Sequence, residues 1–574
     1  MSLTVLIVGG YGVFGARLAR LMAHEPRLRL LIAGRSAEKA GAFCARWTQA
    51  GGAMLERALF DRDGDTVQQL AALAPDLVVD CSGPFQGYGE APFRLVEACL
   101  ARGCDYLDLA DASDFVLGVE RFDALAREKG AFAISGTSTC PALTAAAVGE
   151  MTDRWTAVHE ISAGIAPSPH ADVGVSVLQA ITSYAGKPVP LLRNARPATG
   201  LGLVEARNVT IAPPGRLPLF STRFSLVDVP DLTALPKIWP SVRDIWLGAG
   251  PRPELLHRML NALARVVSFG IPLPLLQLSG VFHAAKTQLK WGEDRGGMFV
   301  RVAGLDSEGK PVARSWNLIA EGDDGPFIPS MAAAAIILGL LDGRRPRSGA
   351  RTAAGAVTLA DYQRIFATKR IVTGIRDEEP ASAAVYRQVM ANAWADLPPA
   401  IRAMHDLPEG GRVTAEGRVD VDRGSNPLAL LIAAVIGFPG AQKDGHVRVD
   451  FERRNGVETW TRTFGNQSFT SRQLAGQGRD AALAVEAFGP IGCGMAPVVE
   501  DGKLLLIPRR WTVFGLGLPA WLFPRIEARE EQDAEGRFRF HVDISHPLTG
   551  PIILYRGWLT LASAHPGEGR GPAA

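Results

Sequence analysis

Directly after an apolar run, Leu3 to Val8, and directly before a helical pattern, the chain reads Gly10-Tyr11-Gly12-Val13-Phe14-Gly15. Glycines at this spacing suit one kind of chemistry, the binding of a phosphate against the backbone. Gly10 permits a tight turn, Gly12 lets a pyrophosphate approach because no Cβ intervenes, and Gly15 lets the helix pack closely on the strand. The anion then faces the unpaired amides and positive dipole end of a helix that begins near Phe14. About twenty residues on, where a carboxylate would accept hydrogen bonds from the ribose of NAD, the sequence is instead Ala33-Gly34-Arg35-Ser36. Arg35 can pair with a 2′-phosphate and Ser36 can donate to it, so NADP is expected in preference to NAD. Asp61 closes a third strand, where it can meet the adenine edge or cap a turn.

Two further clusters lie at strand ends. They are Asp80-Cys81-Ser82-Gly83-Pro84-Phe85-Gln86-Gly87-Tyr88-Gly89 and Asp105-Tyr106-Leu107-Asp108-Leu109-Ala110-Asp111. Ligands of an open parallel sheet collect beyond the carboxyl ends of its strands, so Ser82, Gly83 and Pro84 are expected to border the cofactor ribose and nicotinamide. Tyr88 then reads as a hydrogen-bond or proton donor, and Asp108 or Asp111 as the group that orients a substrate amine or water. The competing reading packs Tyr88 into its loop and leaves both aspartates as helix caps. Cys81 and Cys140 lack an adjacent His and read as core thiols. His170, His283, Lys286 and Lys290 could reach a substrate but read as solvated or structural. His541 and His546 have no third ligand at a recognisable spacing, so no metal is expected.

The elements that must position these residues follow a parallel-sheet rhythm over residues 1–140. Strands are expected at Leu3 to Val8, Leu28 to Ala33, Ala58 to Asp61, Leu77 to Cys81, Tyr106 to Leu109 and Ala131 to Ser135, alternating with helices: a doubly wound Rossmann sheet. Residues 141–375 read as a second α/β (α+β) domain, with a hairpin of Phe299 to Leu305 and Val312 to Glu321 turning at Asp306-Ser307-Glu308-Gly309, and an apolar helix to Leu341 that could pack back on the first domain. Gly343 to Gly355 is basic and glycine-bearing and reads as a loop. Residues 380–564 begin with an amphipathic helix, Ala384 to Leu397, and continue in period-two segments such as Val413 to Val421, Glu458 to Phe464 and Phe538 to Ile544, an α+β domain rich in antiparallel strands. His565 to Ala574 reads as a frayed tail.

The glycine loop, the Asp80 to Gly89 loop and the Asp105 to Asp111 stretch together resemble the saccharopine dehydrogenase family. The resemblance spans roughly residues 1–370 and implies an NADP-binding Rossmann domain followed by a domain that shapes a substrate cleft. The last two hundred residues resemble a domain of unknown function fused behind such modules. No Lys and His pair at the spacing that saccharopine oxidation needs is recognisable, so lysine metabolism does not follow from the family name.

Composition bounds the rest. The 574 residues are enough for three to four domains, and 47% hydrophobic against 21% charged describes a folded globular chain. A net charge of +2 gives no general pull toward nucleic acid. Six cysteines without a CxxC pair, and an N-terminus without a basic leader, point to a cytoplasmic protein. The expected function is an NADP-dependent oxidoreductase moving hydride to or from a C=N, C=O or C=C group of a small-molecule or lipid-like substrate between the first two domains. The alternative is a non-catalytic dinucleotide sensor or scaffold whose C-terminal domain binds a lipid or protein. A homodimer is compatible with either. Ile271 to Leu278 and Leu428 to Phe438, with Trp511, Phe514, Leu516, Leu518, Trp521, Leu522 and Phe523, read as core, as a hydrophobic pocket, or as a face peripheral to a membrane.

Overall fold

The computed structural model describes residues 2–171, 183–271, 273 and 292–562. His283, Lys286, Lys290, most of Ile271 to Leu278 and the C-terminal tail lie outside the described residues. The chain divides into two compact units, residues 1–207 with 223–373, and residues 208–222 with 374–574.

The first unit opens with β1 (Leu3–Val8), α1 (Val13–Met22), β2 (Leu28–Gly34), α2 (Ala37–Trp47), β3 (Met54–Leu59), α3 (Thr66–Leu73), β4 (Leu77–Asp80), α4 (Arg94–Ala101), β5 (Asp105–Asp108) and β6 (Phe132–Ser135). The strands pair in parallel in the order β6-β5-β4-β1-β2-β3, the doubly wound arrangement whose crevice lies above β1 and β4. Central strands are buried end to end, as a sheet covered on both faces requires. β3 sits several residues earlier than Ala58 to Asp61, because Phe60 and Asp61 already belong to the turn into α3.

One element departs from the sequence reading more sharply. Gly349–Thr352, inside the stretch expected to be a loop, is a seventh strand that pairs in parallel with β6. Its alignment is fixed from below, since Asp123 Oδ1 accepts from Ala350 N at 3.0 Å and Gly349 N donates to Ala131 O. The basic residues that suggested a linker serve it: Arg345 pairs with Asp105 at 2.5 Å, at the start of β5.

A second sheet places Asp244–Ala249 parallel to Ala157–Ala166, which pairs on its other side antiparallel with Arg295–Leu305 and then Pro311–Glu321. The expected hairpin turn at Asp306 to Gly309 is present, with Gly309 at positive φ. Helix Ile328–Leu341 follows and is buried along most of its length. The run Gly322–Leu341 is long and apolar enough to cross a bilayer, yet it serves as core: Ser330 Oγ donates to Phe14 O at 3.1 Å and so ties it to α1.

In the second unit the antiparallel expectation becomes a closed barrel. Ten strands run Arg412–Arg423, Gln442–Arg454, Val457–Phe464, Gln467–Ala475, Ala484–Phe488, Ile491–Glu500, Lys503–Val513, Arg525–Gln532, Phe538–His546 and Gly550–Leu561. Arg412–Arg423 pairs with Gly550–Leu561, and Ile491–Glu500 pairs with Lys503–Val513, so no edge is left in the ring. The expected helix Ala384 to Leu397 is interrupted at Ala391, which has φ +50, and continues as Pro399–His405. These short helices plug one end: Val385 N donates to Glu458 and His405 Nε2 meets Glu530 at 2.6 Å. A Cβ on Gly417 would overlap the carbonyl oxygen of Trp558 across the closing seam. Gly417→Val is expected to destabilise the barrel by more than about 3 kcal/mol, read as an earlier thermal or urea transition; an unchanged melt would show that the seam is dispensable.

Candidate active site

The glycine loop is built by close approach of backbone to backbone. Gly9, with φ +73, makes the sharp turn that the sequence reading assigned to Gly10. Gly10 is glycine for a different reason: a Cβ there would press on Ile7 O at 2.8 Å. A Cβ on Gly15 would overlap Gly9 O, so α1 can lie against the loop only with glycine at that position. Gly12 is the N-cap of α1 and offers no side-chain cap, which leaves the first-turn amides of Val13, Phe14 and Gly15 for an external anion.

Beside the loop, Tyr11 packs over Gly34 and its hydroxyl accepts from Ser36 N at 3.0 Å. Ser36 caps α2 by accepting from Lys39 N at 3.2 Å, and its own O–H remains a donor. Arg35 is exposed on the cavity wall and has no ion pair among the described residues. Asp61 also lines the cavity, and its carboxylate accepts from Asp63 N in the turn after β3, so the capping half of its expected role is observed.

The next loop is organised by Asp80, a buried carboxylate at the end of β4. Asp80 Oδ1 accepts from Ser82 N at 2.9 Å and Ser82 Oγ at 2.5 Å, and Tyr88 OH reaches Oδ2 at 3.2 Å and Ser82 Oγ at 2.9 Å. Arg62 lies over the Tyr88 ring at 3.1 Å from its centroid and 3.5 Å from Asp80. Of the roles expected for Tyr88, the structure shows the hydrogen-bond donor and the loop-packing residue. Its hydroxyl clasps the cofactor-side loop, its ring packs on Phe85 and Phe115, and burial holds its pKa far above the usual tyrosine range. Tyr88 therefore holds the loop in position.

The role expected for Asp108 is corrected. It is fully buried behind the cavity wall, where Oδ1 accepts from Ala110 N, Ser135 Oγ and Gly136 N and so joins the ends of β5 and β6. Burial pushes its pKa up to about 7. Asp111, by contrast, does line the cavity, where Gln86 Nε2 donates to it at 3.2 Å and burial raises its pKa. Cys81 and Cys140 line the cavity too, and burial pushes both thiols up, so neither is a ready thiolate.

Sequence reasoning missed Asp80, Arg62, Tyr184, Asp228 and Asp231. Asp80 carried a local signal, since Asp-x-Ser at a strand end invites the side chain to bond the backbone two residues on. Arg62 and the others carried none, because they reach the site through tertiary packing. Tyr184 and Asp228 line the far wall, and Ser113 donates to Asp228 at 2.8 Å. The cavity holds about 880 Å³ and runs from the glycine loop, past Ser82, Gly83 and Pro84, to the ends of four second-sheet strands at Ala163–Ala166, Leu247–Ala249, Gly296–Met298 and Leu318 with Ala320.

A strand-end glycine loop, an uncapped helix N-terminus and a cavity over β1 and β4 are the parts of a dinucleotide site, and the comparison with known families agrees. Residues 5–134 match the saccharopine dehydrogenase NADP binding domain. Residues 397–559 match a domain of unknown function, DUF4166. Residues 5–134 are thus similar to a nicotinamide-dinucleotide-binding domain of oxidoreductase type. Among solved structures, apo saccharopine dehydrogenase (L-Glu forming) from Saccharomyces cerevisiae is 13% identical over 65% of this chain and 100% of that one, with a TM-score of 0.45. The WlbA dehydrogenase from Thermus thermophilus, solved with NAD and α-ketoglutarate, is 11% identical over 63% of this chain and 94% of that one, with a TM-score of 0.28. No curated protein matches the chain.

Asp231, behind the cavity-lining Cys140 and Thr144, supplies a pH test of the packing there. It is buried beside Cys140 and Thr144, and burial pushes its pKa up to about 7. Between its unfolded pKa near 4 and about 7, the folded state binds a proton that the unfolded chain has released, so this group lowers stability as pH rises through that window. Asp231→Asn removes the dependence. The variant's stability relative to the parent should improve by on the order of a few kcal/mol between pH 4 and pH 8, measured by urea unfolding; a constant difference across that range would refute the assignment.

Proposed function

We propose that the first unit is an NADP-preferring oxidoreductase whose substrate is a neutral or amine-bearing, largely aliphatic molecule with a C=O, C=N or C=C group. One observation carries the reading: the cavity is continuous from the glycine loop and Arg35 at one end to Asp111 and an aliphatic wall at the other. When bound, the nicotinamide supplies or accepts the hydride. The first-turn amides of α1 hold the pyrophosphate and Arg35 with Ser36 holds a 2′-phosphate, since no carboxylate stands at the end of β2 to favour a free ribose hydroxyl. Ser82, Gly83 and Pro84, held by Asp80 and Tyr88, border the reacting end.

The substrate end supports the choice of substrate class. Its wall is formed by Ala163, Ile165, Val227, Leu247, Met298 and Leu318, with Asp111 and Asp228 as its carboxylates. Among the described lining residues the cations Arg17, Arg35 and Arg62 all belong to the first domain. An anionic substrate would meet carboxylates there, whereas a neutral or cationic one meets acceptors. Asp111 is the proton-holding group: burial raises its pKa above the ordinary carboxylate range, so it can give a proton to the oxygen or nitrogen of a group being reduced and take one back in the reverse direction.

Two measurements test this. Arg35→Asp should weaken NADPH by about 10- to 100-fold, the worth of one charge-assisted contact, and leave NADH nearly unchanged; equal losses for the two would remove Arg35 from the phosphate. Asp111→Asn should lower kcat about 10²- to 10⁴-fold with NADPH affinity intact. It should also abolish the fall in reductive rate that the parent shows as pH rises through the Asp111 pKa. A normal pH profile in that variant would exclude Asp111 as the acid.

A further inference from the structure

The two ends of the barrel differ completely in charge. Five connections lie at the end opposite the helical plug: residues 424–441, 465–466, 489–490, 514–524 and 547–549. Antiparallel order puts them together, because each joins strands at the end where Arg412–Arg423 finishes and Gln442–Arg454 begins. None of the five carries an Asp, Glu, Lys or Arg, in a chain that is 21% charged. At the plugged end, by contrast, the connections contain Arg479, Asp480, Asp501, Asp533, Glu535 and Arg537.

The uncharged end is also where apolar side chains stand in solvent. Leu428, Leu431, Phe514, Leu516, Trp521 and Leu548 are each between 49% and 81% exposed, and all lie on these five connections. Helix Pro427–Ile436 is held in place with its leucines outward, capped by Asn426 and by Gly437, while Arg423 below it donates to Phe438 O and Pro439 O. Trp511, Leu518 and Phe523, grouped with these by sequence, pack on the core instead.

We propose that this end of the barrel is a bilayer-docking face: Trp521, Phe514, Leu516 and the leucines of Pro427–Ile436 insert into the interfacial zone. Protein interfaces keep a polar rim and recruit arginine, which these loops lack. Trp, Phe and Leu free of any charge match the boundary between headgroups and hydrocarbon. Of the two charged residues that directly abut the loops, Arg423 is committed to the carbonyls of Phe438 and Pro439 and Arg525 is exposed, while Lys443 just beyond is paired with Asp422. The exposed Arg525 sits where headgroup phosphates would lie.

The test is cosedimentation of the full chain with phosphatidylcholine vesicles, at about 0.1 M and 0.5 M salt. Binding should occur and change little with salt, because apolar insertion drives it. Phe514→Asn with Trp521→Gln should cut partitioning at least tenfold; asparagine suits the φ of +50 at residue 514 and preserves the turn. Leu431→Ser on the helix is a second, independent variant expected to weaken binding in the same direction. Met54→Ser with Leu59→Ser, which removes comparable exposed apolar surface from β3, should leave binding unchanged. Failure to bind neutral vesicles, equal loss from the β3 variant, or self-association abolished by the Phe514 and Trp521 changes would each overturn the proposal, the last by assigning the face to a second copy of the chain.

Discussion

The carbonyl oxygen of Gly9 occupies the place where a side chain on residue 15 would begin. Because of that approach α1 starts hard against the strand end, its first amides point into the crevice, and the one side chain of the loop between them, Tyr11, turns aside onto Gly34. Much else in the first unit is arranged around this fixed point. Ser330 anchors the Ala-rich helix to the carbonyl of Phe14, and the second sheet brings four strand ends to the same cavity. A phosphate site made of backbone needs rigidity more than charge, which agrees with a chain whose net charge is +2.

Asp80 does for the second loop what glycine does for the first. Burying a carboxylate raises its pKa and costs stability unless donors surround it, and here Ser82, Tyr88 and Arg62 all turn toward it. The Ser82 to Tyr88 stretch of the cavity wall is thus ordered by a group that never touches the cavity surface directly. Two aromatic-looking or acidic candidates, Tyr88 and Asp108, are spent on this internal scaffold, and Asp111 is left facing the open space.

Local pattern was enough to read β1, the glycine loop, α1 and the order of the first six strands, because buried parallel strands and glycine spacing are written in consecutive residues. It was also enough for the alternation of several barrel strands. It failed where partners are distant. Gly349–Thr352 is four residues long and basic on both sides, and only its pairing with β6 makes it a strand. Strand Gln467–Ala475 escaped notice because Ser, Thr and Gln outnumber its apolar residues, and Ile491–Glu500 because its apolar residues do not alternate with polar ones; closure of the ring was invisible because the two strands that complete it declare no partner in their own sequences. Asp108 and Asp111 have the same residue type and lie three apart. Only the cavity distinguishes them.

The seventh strand also has a consequence in time. β6 leaves the ribosome more than two hundred residues before Gly349–Thr352, and at roughly 5–20 residues per second that interval is on the order of 10–40 s. Throughout it the dinucleotide sheet presents an unpaired hydrophobic edge, the kind of template on which nascent chains pair wrongly. During synthesis the vulnerable species is therefore a sheet complete in its glycine loop and incomplete at its margin, and the rate of elongation through the middle of the chain governs how long that margin stays open.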